Sequence, residues 1–509
     1  MRGRFFLLVI LIFALFVRVF HLDSLPSILN RDEAALAYNG YLLSETGKDE
    51  WGRTWPLALE SFGDFKLLGY PAVLAVLFKI FPESDFWVRI PSALSGVGLV
   101  FLAYQFGLAL GFKKKSAVLL AASVASAPVF IFYSRIAFEA NLALFLFVAS
   151  LLLLLKNSKK PTRGRVTLAL LTYLAAVCTY NTPLLLGVLV APIVLFIAGM
   201  QNVKKSLVLF LGWIVVTSLA FFVLQPVFAQ KQNITLFSDE ASVLAFNQYR
   251  SDLPEPLQRV IGNKLVYFTP QIVKNAVRAF SPRFLVTQGG SHPWHSIAGR
   301  GHIYWWQYLA AACGVLLAIT HVVKKRPQYQ GPLLLLILLL LSLVPASITT
   351  DAPHATRSLL FFFILLVFGA WAYDKYSKIL GRRDLYIGMF ILLISQLLYV
   401  REYFFSYKQN QAMFQPGFAQ ELTLVQEQYP NKSVAVVDGG GYQYILAAWY
   451  ARLSPSQYFS SVVRQAPDQI GFRYGQQVGN FHFIAQAQDR TDETVLIEWQ
   501  DGMWVTTKF

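Results

Sequence analysis

Asn30-Arg31-Asp32-Glu33-Ala34-Ala35-Leu36-Ala37-Tyr38-Asn39-Gly40-Tyr41 follows directly on the first long apolar run of the chain, residues 5–20, and sets two carboxylates where a chain leaves a membrane. Charge is costly within hydrocarbon, so an acid pair at that point must be solvated, paired or used. Ala34, Ala35, Leu36, Tyr38 and Tyr41 predict a short amphipathic helix lying on the bilayer surface. Asp32 and Glu33 fall at its N-terminus, where the helix dipole stabilises negative charge. A helix cap and nothing more is the plainer reading of any Asp-Glu pair. The rest of the chain decides between the two.

Hydrophobic residues make up 55% of the sequence and charged residues 14%, and the mean hydropathy is +0.48. Apolar runs of about 20 residues recur along the chain, the pattern of a polytopic α-helical membrane protein. A net charge of +16 can mean a nucleic-acid partner. Here the positive residues gather in short tracts between apolar runs, which is a topology signal, and no nucleic acid is expected. Cys178 and Cys313 lie inside apolar runs, so no disulfide framework is read. No small-x-small cleavage site follows the first run, which is read as a retained span with a cytoplasmic N-terminus.

The inside loops are taken as Lys113-Lys114-Lys115, 156–165, Lys204-Lys205, Lys324-Lys325-Arg326 and 375–383. The turns between them, Ser134-Arg135, 180–183 and 351–358, are poor in lysine and arginine. That alternation requires residues 67–81 not to cross; they are read as a second outer interfacial helix opened by Asp64-Phe65-Lys66. The spans then fall near 5–21, 89–111, 116–133, 139–156, 166–181, 183–200, 206–226, 302–322, 331–349, 357–374 and 384–402. These make about eleven crossings, with the C-terminus outside. The expected organisation is a transmembrane catalytic domain, 1–402, with outer loops 22–88 and 227–301, and an outer-face α/β domain, 403–509. In that tail, 433–438, 481–485 and 494–498 read as strands and 442–451 as a helix. Gly439-Gly440-Gly441 lacks the spacing of nucleotide-binding loops and is read as a plain turn.

The outer face thus collects a limited set of polar groups at helix ends: Asp32 and Glu33; Lys66; Arg135 and Glu139; His354 and Arg357; and, from the long loop, His292, His295, Arg300 and His302. Arginines and a lysine converging at a membrane surface suit a lipid-borne phosphate, since guanidinium offers a bidentate fork and keeps its charge. A carboxylate beside them suits a general base. Contact with lipid headgroups is the plainer reading of Arg300. The histidines match no zinc spacing, so neither metal nor cofactor is assigned, and a divalent ion is left as the alternative.

These residues resemble a family. Asp32-Glu33-Ala34-Ala35 is similar to the acidic motif in the first outer loop of GT-C-type glycosyltransferases, closest to the protein O-mannosyltransferase-like and aminoarabinose-transferase-like bacterial enzymes. Gly63-Asp64-Phe65-Lys66, the run from Phe86 to Leu94 with Arg89 and Pro91, and Ser134-Arg135-Ile136-Ala137-Phe138-Glu139 resemble later blocks of the same order. So do Phe280-Ser281-Pro282-Arg283 and Pro353-His354-Ala355-Thr356-Arg357. The resemblance covers roughly residues 1–400. The family's lysine-proline-proline reads Lys66-Leu67-Leu68 here, and the acid after Arg135 is Glu139 where relatives often carry Asp. It implies transfer of a sugar from a polyprenyl-phosphate carrier to a hydroxyl of a glycan, lipid or protein acceptor outside the cytoplasmic membrane, with inversion. Asp32 is the implied base and Glu33 its orienting partner, though which acid is the base stays open. Arg135, Arg357 and Lys66, with Glu139 and His354 beside them, are implied at the donor phosphate; the loop residues His292, His295 and Arg300 face the acceptor. A flippase for a polyprenyl-linked glycan, a glycan polymerase or ligase, and a non-catalytic scaffold are the competing readings.

Overall fold

A computed structural model describes residues 2–159, 162–197, 203–231, 234–290, 292, 294–377, 382–407, 414–430, 432–468 and 472–509. Parts of the basic loops expected at 156–165 and 375–383, and the end of the span expected at 183–200, lie outside the described residues. The chain divides into two compact units. The first comprises Met1–Arg18, Leu94–Tyr133 and Ala140–Val400; the second comprises Val19–Ala93, Ser134–Glu139 and Arg401–Phe509.

The first unit is helical. A helix lies at each of the expected span positions, from Arg2–Val19 through Arg382–Arg401. Among the described residues five helices are long and apolar enough to cross a membrane, or six if the bent pair Lys114–Ser126 and Pro128–Ser134 is one span. Helix Leu359–Tyr376 is buried along nearly its whole length and packs against Trp305–Val323 and Lys114–Ser126. Its approach to Trp305–Val323 rests on absent side chains: a Cβ on Gly314 would stand 2.3 Å from the Phe368 carbonyl oxygen. Small residues of this kind let helix backbones close where lipid supplies no hydrophobic drive. Arg18, fully buried, answers the backbone by donating to the carbonyls of Ala14, Ala125 and Val124.

In the second unit the acid-bearing segment forms helix Arg31–Thr46. It is not a surface helix. Ala34, Leu36, Ala37 and Leu42 are completely buried, and the helix packs against Gly69–Phe78 on one side and Gln443–Tyr450 on another. The alanines read as a weakly apolar surface stripe are instead what allows neighbours on several faces. Residues 64–66 also depart from expectation. They do not open a helix; Ala58–Ser61 (β1) and Asp64–Leu67 (β2) form an antiparallel hairpin. Its two-residue turn carries positive φ at both Phe62 (43°) and Gly63 (82°), the backbone twist a tight hairpin requires. Phe62 bears that strain because its N–H donates to the Tyr444 hydroxyl and its carbonyl accepts from the Arg473 N–H. The helix that follows, Gly69–Phe78, has 10 residues, about 15 Å of rise against roughly 30 Å of hydrocarbon.

The tail supplies the remaining strands: Val434–Val437 (β3), Val463–Arg464 (β4), Gly475–Val478 (β5), Phe481–Ile484 (β6), Val495–Gln500 (β7) and Met503–Lys508 (β8). Their order is β4-β5-β6-β3-β7-β8, with β3 parallel to both β6 and β7 and the outer pairs antiparallel. The central β3, Val-Ala-Val-Val, is apolar on both faces, as a strand covered on both sides must be.

Gly40 sits where the acid helix meets Gly69–Phe78, and a Cβ there would lie 2.7 Å from the Leu74 Cβ. Gly40→Val should therefore separate the two helices at a cost of about 1–3 kcal/mol. A thermal melt of the detergent-purified protein checks this; an unchanged midpoint would show that the pair has room to spare.

Candidate active site

The site grows from the start of helix Arg31–Thr46. Asn30 caps it, its side-chain oxygen accepting from the N–H groups of Asp32 (2.9 Å) and Glu33 (3.0 Å). Glu33 closes the capping box by accepting from the Asn30 N–H at 3.0 Å. The same carboxylate takes Arg89 Nε at 2.9 Å, Arg89 Nη2 at 3.3 Å and the Ala137 N–H at 2.8 Å. All four acceptor positions of Glu33 are used. Both Glu33 and Arg89 are wholly buried. The remaining Arg89 donors go to the carbonyls of Leu22, Pro26 and Ile28, so its five N–H groups are all placed.

One residue earlier the helix turns its other carboxylate outward. Asp32 is 26% exposed at the side chain, and its Oδ1 lies 2.9 Å from Lys66 Nζ. Lys66, 7% exposed, also reaches Asp64 Oδ2 at 2.7 Å. The hairpin explains the meeting: alternation along β2 turns Lys66 to the same side as Asp64, towards the acid helix. Burial alone would draw the Lys66 ammonium down, but the carboxylates of Asp32, Asp64 and Glu139 together hold it above the usual lysine value. Glu139, nearly buried at the start of helix Glu139–Lys159, thus belongs to the same electrostatic group.

Arg135 is fully buried and donates from Nη2 to the carbonyls of His21 and Leu25, both at 3.0 Å. Its guanidinium also stands over the rings of Tyr403 (5.0 Å) and Phe404 (4.9 Å). The guanidinium paired with Glu33 is that of Arg89, which the sequence pattern placed in the run from Phe86 to Leu94 without a role. The signal was present: a lone arginine in Phe86-Trp87-Val88-Arg89-Ile90 needs a buried partner.

The other basic candidates form a separate cluster inside the helical unit. Arg357 Nη1 donates to Asp351 Oδ1 at 2.6 Å and to the Thr349 hydroxyl at 3.1 Å. His354 Nε2 lies 3.6 Å from Asp351 Oδ2. The His354 ring stands edge-on to His295 at 4.6 Å, and His295 is 4.9 Å from His292. Thr356 joins His295 to the Tyr133 hydroxyl. Arg300 lies over Tyr399 at 5.6 Å. Burial, then Arg357 and His292, lower His354 to about 4, with Asp351 opposing. Burial and the neighbouring His354 lower His302 to about 3, and burial with His354, His292, His302 and Arg357 brings His295 to about 2. These imidazoles are neutral at pH 7 and leave Arg357 as the positive charge of the cluster, paired with the Asp351 carboxylate. Among the described residues no group of three or more His, Cys, Asp or Glu side chains is placed to hold a metal ion.

Residues 8–182, roughly a third of the chain, match the dolichyl-phosphate-mannose-protein mannosyltransferase family. That stretch carries Asp32, Glu33, Lys66, Arg89, Arg135 and Glu139. The fold is shared with ArnT from Cupriavidus metallidurans, solved in the apo state (TM-score 0.54, 14% identity, 89% of this chain and 85% of that one). It is likewise shared with the same protein bound to undecaprenyl phosphate (TM-score 0.53, 14% identity, 87% and 84%). An oligosaccharyltransferase from Archaeoglobus fulgidus aligns at TM-score 0.49 and 13% identity over 88% of this chain and 61% of that one. No curated protein matches the sequence. The sequence match over residues 8–182 is thus to a family of lipid-linked mannosyltransferases, and the fold is the one seen in ArnT.

Two outcomes follow from the buried groups. Glu33→Gln leaves the Arg89 charge uncompensated in the interior and should cost about 3–5 kcal/mol, a large part of a typical stability. The yield of folded protein from membranes should collapse, and Glu33→Gln combined with Arg89→Gln should recover part of it. For His354, the folded value near 4 lies below the ordinary 6.5, so the unfolded chain binds the extra proton between them. Stability should rise with pH across that window and fall on acidification through it. His354→Gln should flatten the slope between about pH 4 and 6.5; equal slopes in the two proteins would contradict the assignment.

Proposed function

We propose that this chain moves a sugar from a polyprenyl-phosphate carrier to an acceptor hydroxyl on the outer face of the cytoplasmic membrane, with inversion at the anomeric carbon. The observation that carries the reading is the division of labour between adjacent acids. Glu33 is buried with every lone pair used, whereas Asp32 is reachable from solvent and keeps Oδ2 without a partner among the described residues. Asp32 is then the base and Glu33 the residue that fixes its position. The acceptor oxygen attacks the anomeric carbon as its proton passes to Asp32, and the bond from that carbon to the phosphate oxygen breaks with its electron pair leaving on the carrier. Lys66 uses two of its three N–H donors on Asp32 and Asp64 and has one left for the phosphate. Its charge, held well in place, meets the negative charge that grows on departure. Arg357, with neutral His354 beside it, is the basic group of the helical unit suited to carrier phosphate. ArnT bound to undecaprenyl phosphate supports the choice of carrier.

Asp32→Asn keeps the shape of the pair and removes the proton acceptor. Transfer from a panel of polyprenyl-phosphate sugars in purified membranes, with product identified by mass, should fall about 10²–10⁴-fold. Transfer near the unsubstituted level would remove Asp32 from the base role.

A further inference from the structure

The tail holds a crevice that the transfer chemistry does not use. It opens at the carboxyl ends of the parallel strands β3 and β6, the end of an α/β sheet where ligands settle. Its volume is about 230 Å³, and its lining includes Asp438, Gly439, Gln465, Tyr474 and Ile484. The turn beneath it must be glycine: a Cβ on Gly440 would stand 2.3 Å from the Tyr442 ring, and one on Gly441, at φ 71°, would stand 2.4 Å from Tyr474. In phosphate-binding sites of this layout the turn N–H groups point at the ligand. Here they are already spent. Asp438 accepts from the N–H groups of Gly440 (3.1 Å), Gly441 (2.7 Å) and Gln443 (2.8 Å). A phosphate entering would meet a carboxylate where such sites present N–H groups, so the turn disfavours anions.

What it offers instead is the one acceptor position these N–H groups leave on Asp438, a carboxamide from Gln465, and the Tyr474 ring stacked on Phe472 at 6.1 Å and 16°. An apolar ring face beside fixed polar acceptors suits a neutral sugar, whose ring carries a C–H face and a rim of hydroxyls. The volume is below the ~300–1,000 Å³ of drug-sized sites and suits one sugar unit. The crevice also connects with the acid helix inside the same unit. Lys66 Nζ stands 5.8 Å from the Phe62 ring, and Arg31 lies over both Phe62 (5.7 Å) and Tyr442 (4.9 Å), the residue that follows the glycine turn.

We propose that this crevice binds a neutral sugar unit of the acceptor, Asp438 accepting from one hydroxyl, Gln465 meeting another and Tyr474 covering its ring, so that the acceptor is a glycan. The assignment rests on the transferase reading, and the test separates the two. The full chain in detergent is examined by saturation-transfer NMR with millimolar methyl α-mannoside, methyl α-glucoside, methyl β-galactoside and N-acetylglucosamine, and in parallel with ADP and inorganic phosphate. At least one glycoside should bind, and neither anion should. Gly439→Leu adds bulk to the lining at a position where a Cβ meets nothing within 4 Å, and should weaken glycoside binding at least about tenfold. If that variant does not fold, Gln465→Ala, at an exposed lining position, carries the same direction of change. Asp32→Asn should bind glycoside as the unsubstituted protein does while failing to transfer; transfer by that variant would count against the base and leave the crevice standing. Absence of any glycoside signal, a signal that survives both crevice substitutions, or ADP binding lost in Gly439→Leu would overturn the proposal.

Discussion

The buried pair of Glu33 and Arg89 is the constraint on which the second unit depends. An arginine near the start of a long apolar helix can neither lose its charge nor reach water, so the chain must bring an acid and carbonyls to it. Arg89 gathers the carbonyls of Leu22, Pro26 and Ile28, while Glu33 gathers the Asn30 and Ala137 N–H groups. Three stretches far apart in sequence are thereby fixed to one point: 22–30, the start of helix Asp85–Ala109, and the turn 134–139. Such a pair adds little net stability over an apolar substitute. Its effect is positional, since it ties the three stretches to one pair of charges.

That anchoring also sets where Asp32 points. Adjacent residues on a helix lie about 100° apart, so anchoring Glu33 inward directs Asp32 to a different face. The hairpin then brings Lys66 to the outward acid. The two devices are independent in sequence: one relies on an arginine in an apolar helix, the other on a Phe-Gly turn with positive φ at both residues. A site held from two sides keeps its geometry without relying on either strand or helix alone.

Helix positions were legible because long apolar periods dominate their windows, and the acid pair was legible as a helix start because Asn30 and Glu33 carry a capping signature. Three tail strands were readable from Val434–Val437, Phe481–Ile484 and Val495–Gln500, where β-branched residues and aromatics cluster, whereas β4, β5 and β8 were not. Residues 58–67 were not. Two strands of four residues separated by Phe62-Gly63 present too few alternations to outweigh the apolar run that follows, and Leu67-Leu68 draws Lys66 into an apparent helix. The burial of Arg31–Thr46 was hidden for a different reason: alanine and tyrosine look like a thin stripe until Gly69–Phe78 and Gln443–Tyr450 are seen packed on it.

The same accounting separates the two kinds of polar cluster in this chain. At Asp32 a single buried ammonium is shared among carboxylates, so an incoming anion finds one positive group with a donor to spare and an incoming hydroxyl finds an acceptor. Around Arg357 the balance is reversed: imidazoles stripped of charge by burial stand round one guanidinium already bonded to Asp351. Neutral imidazole can donate or accept at either ring nitrogen according to tautomer, so that cluster can hold polar groups without adding repulsion between cations. Of the two adjacent acids, Asp32 alone keeps side-chain surface open to solvent, while Glu33 keeps none.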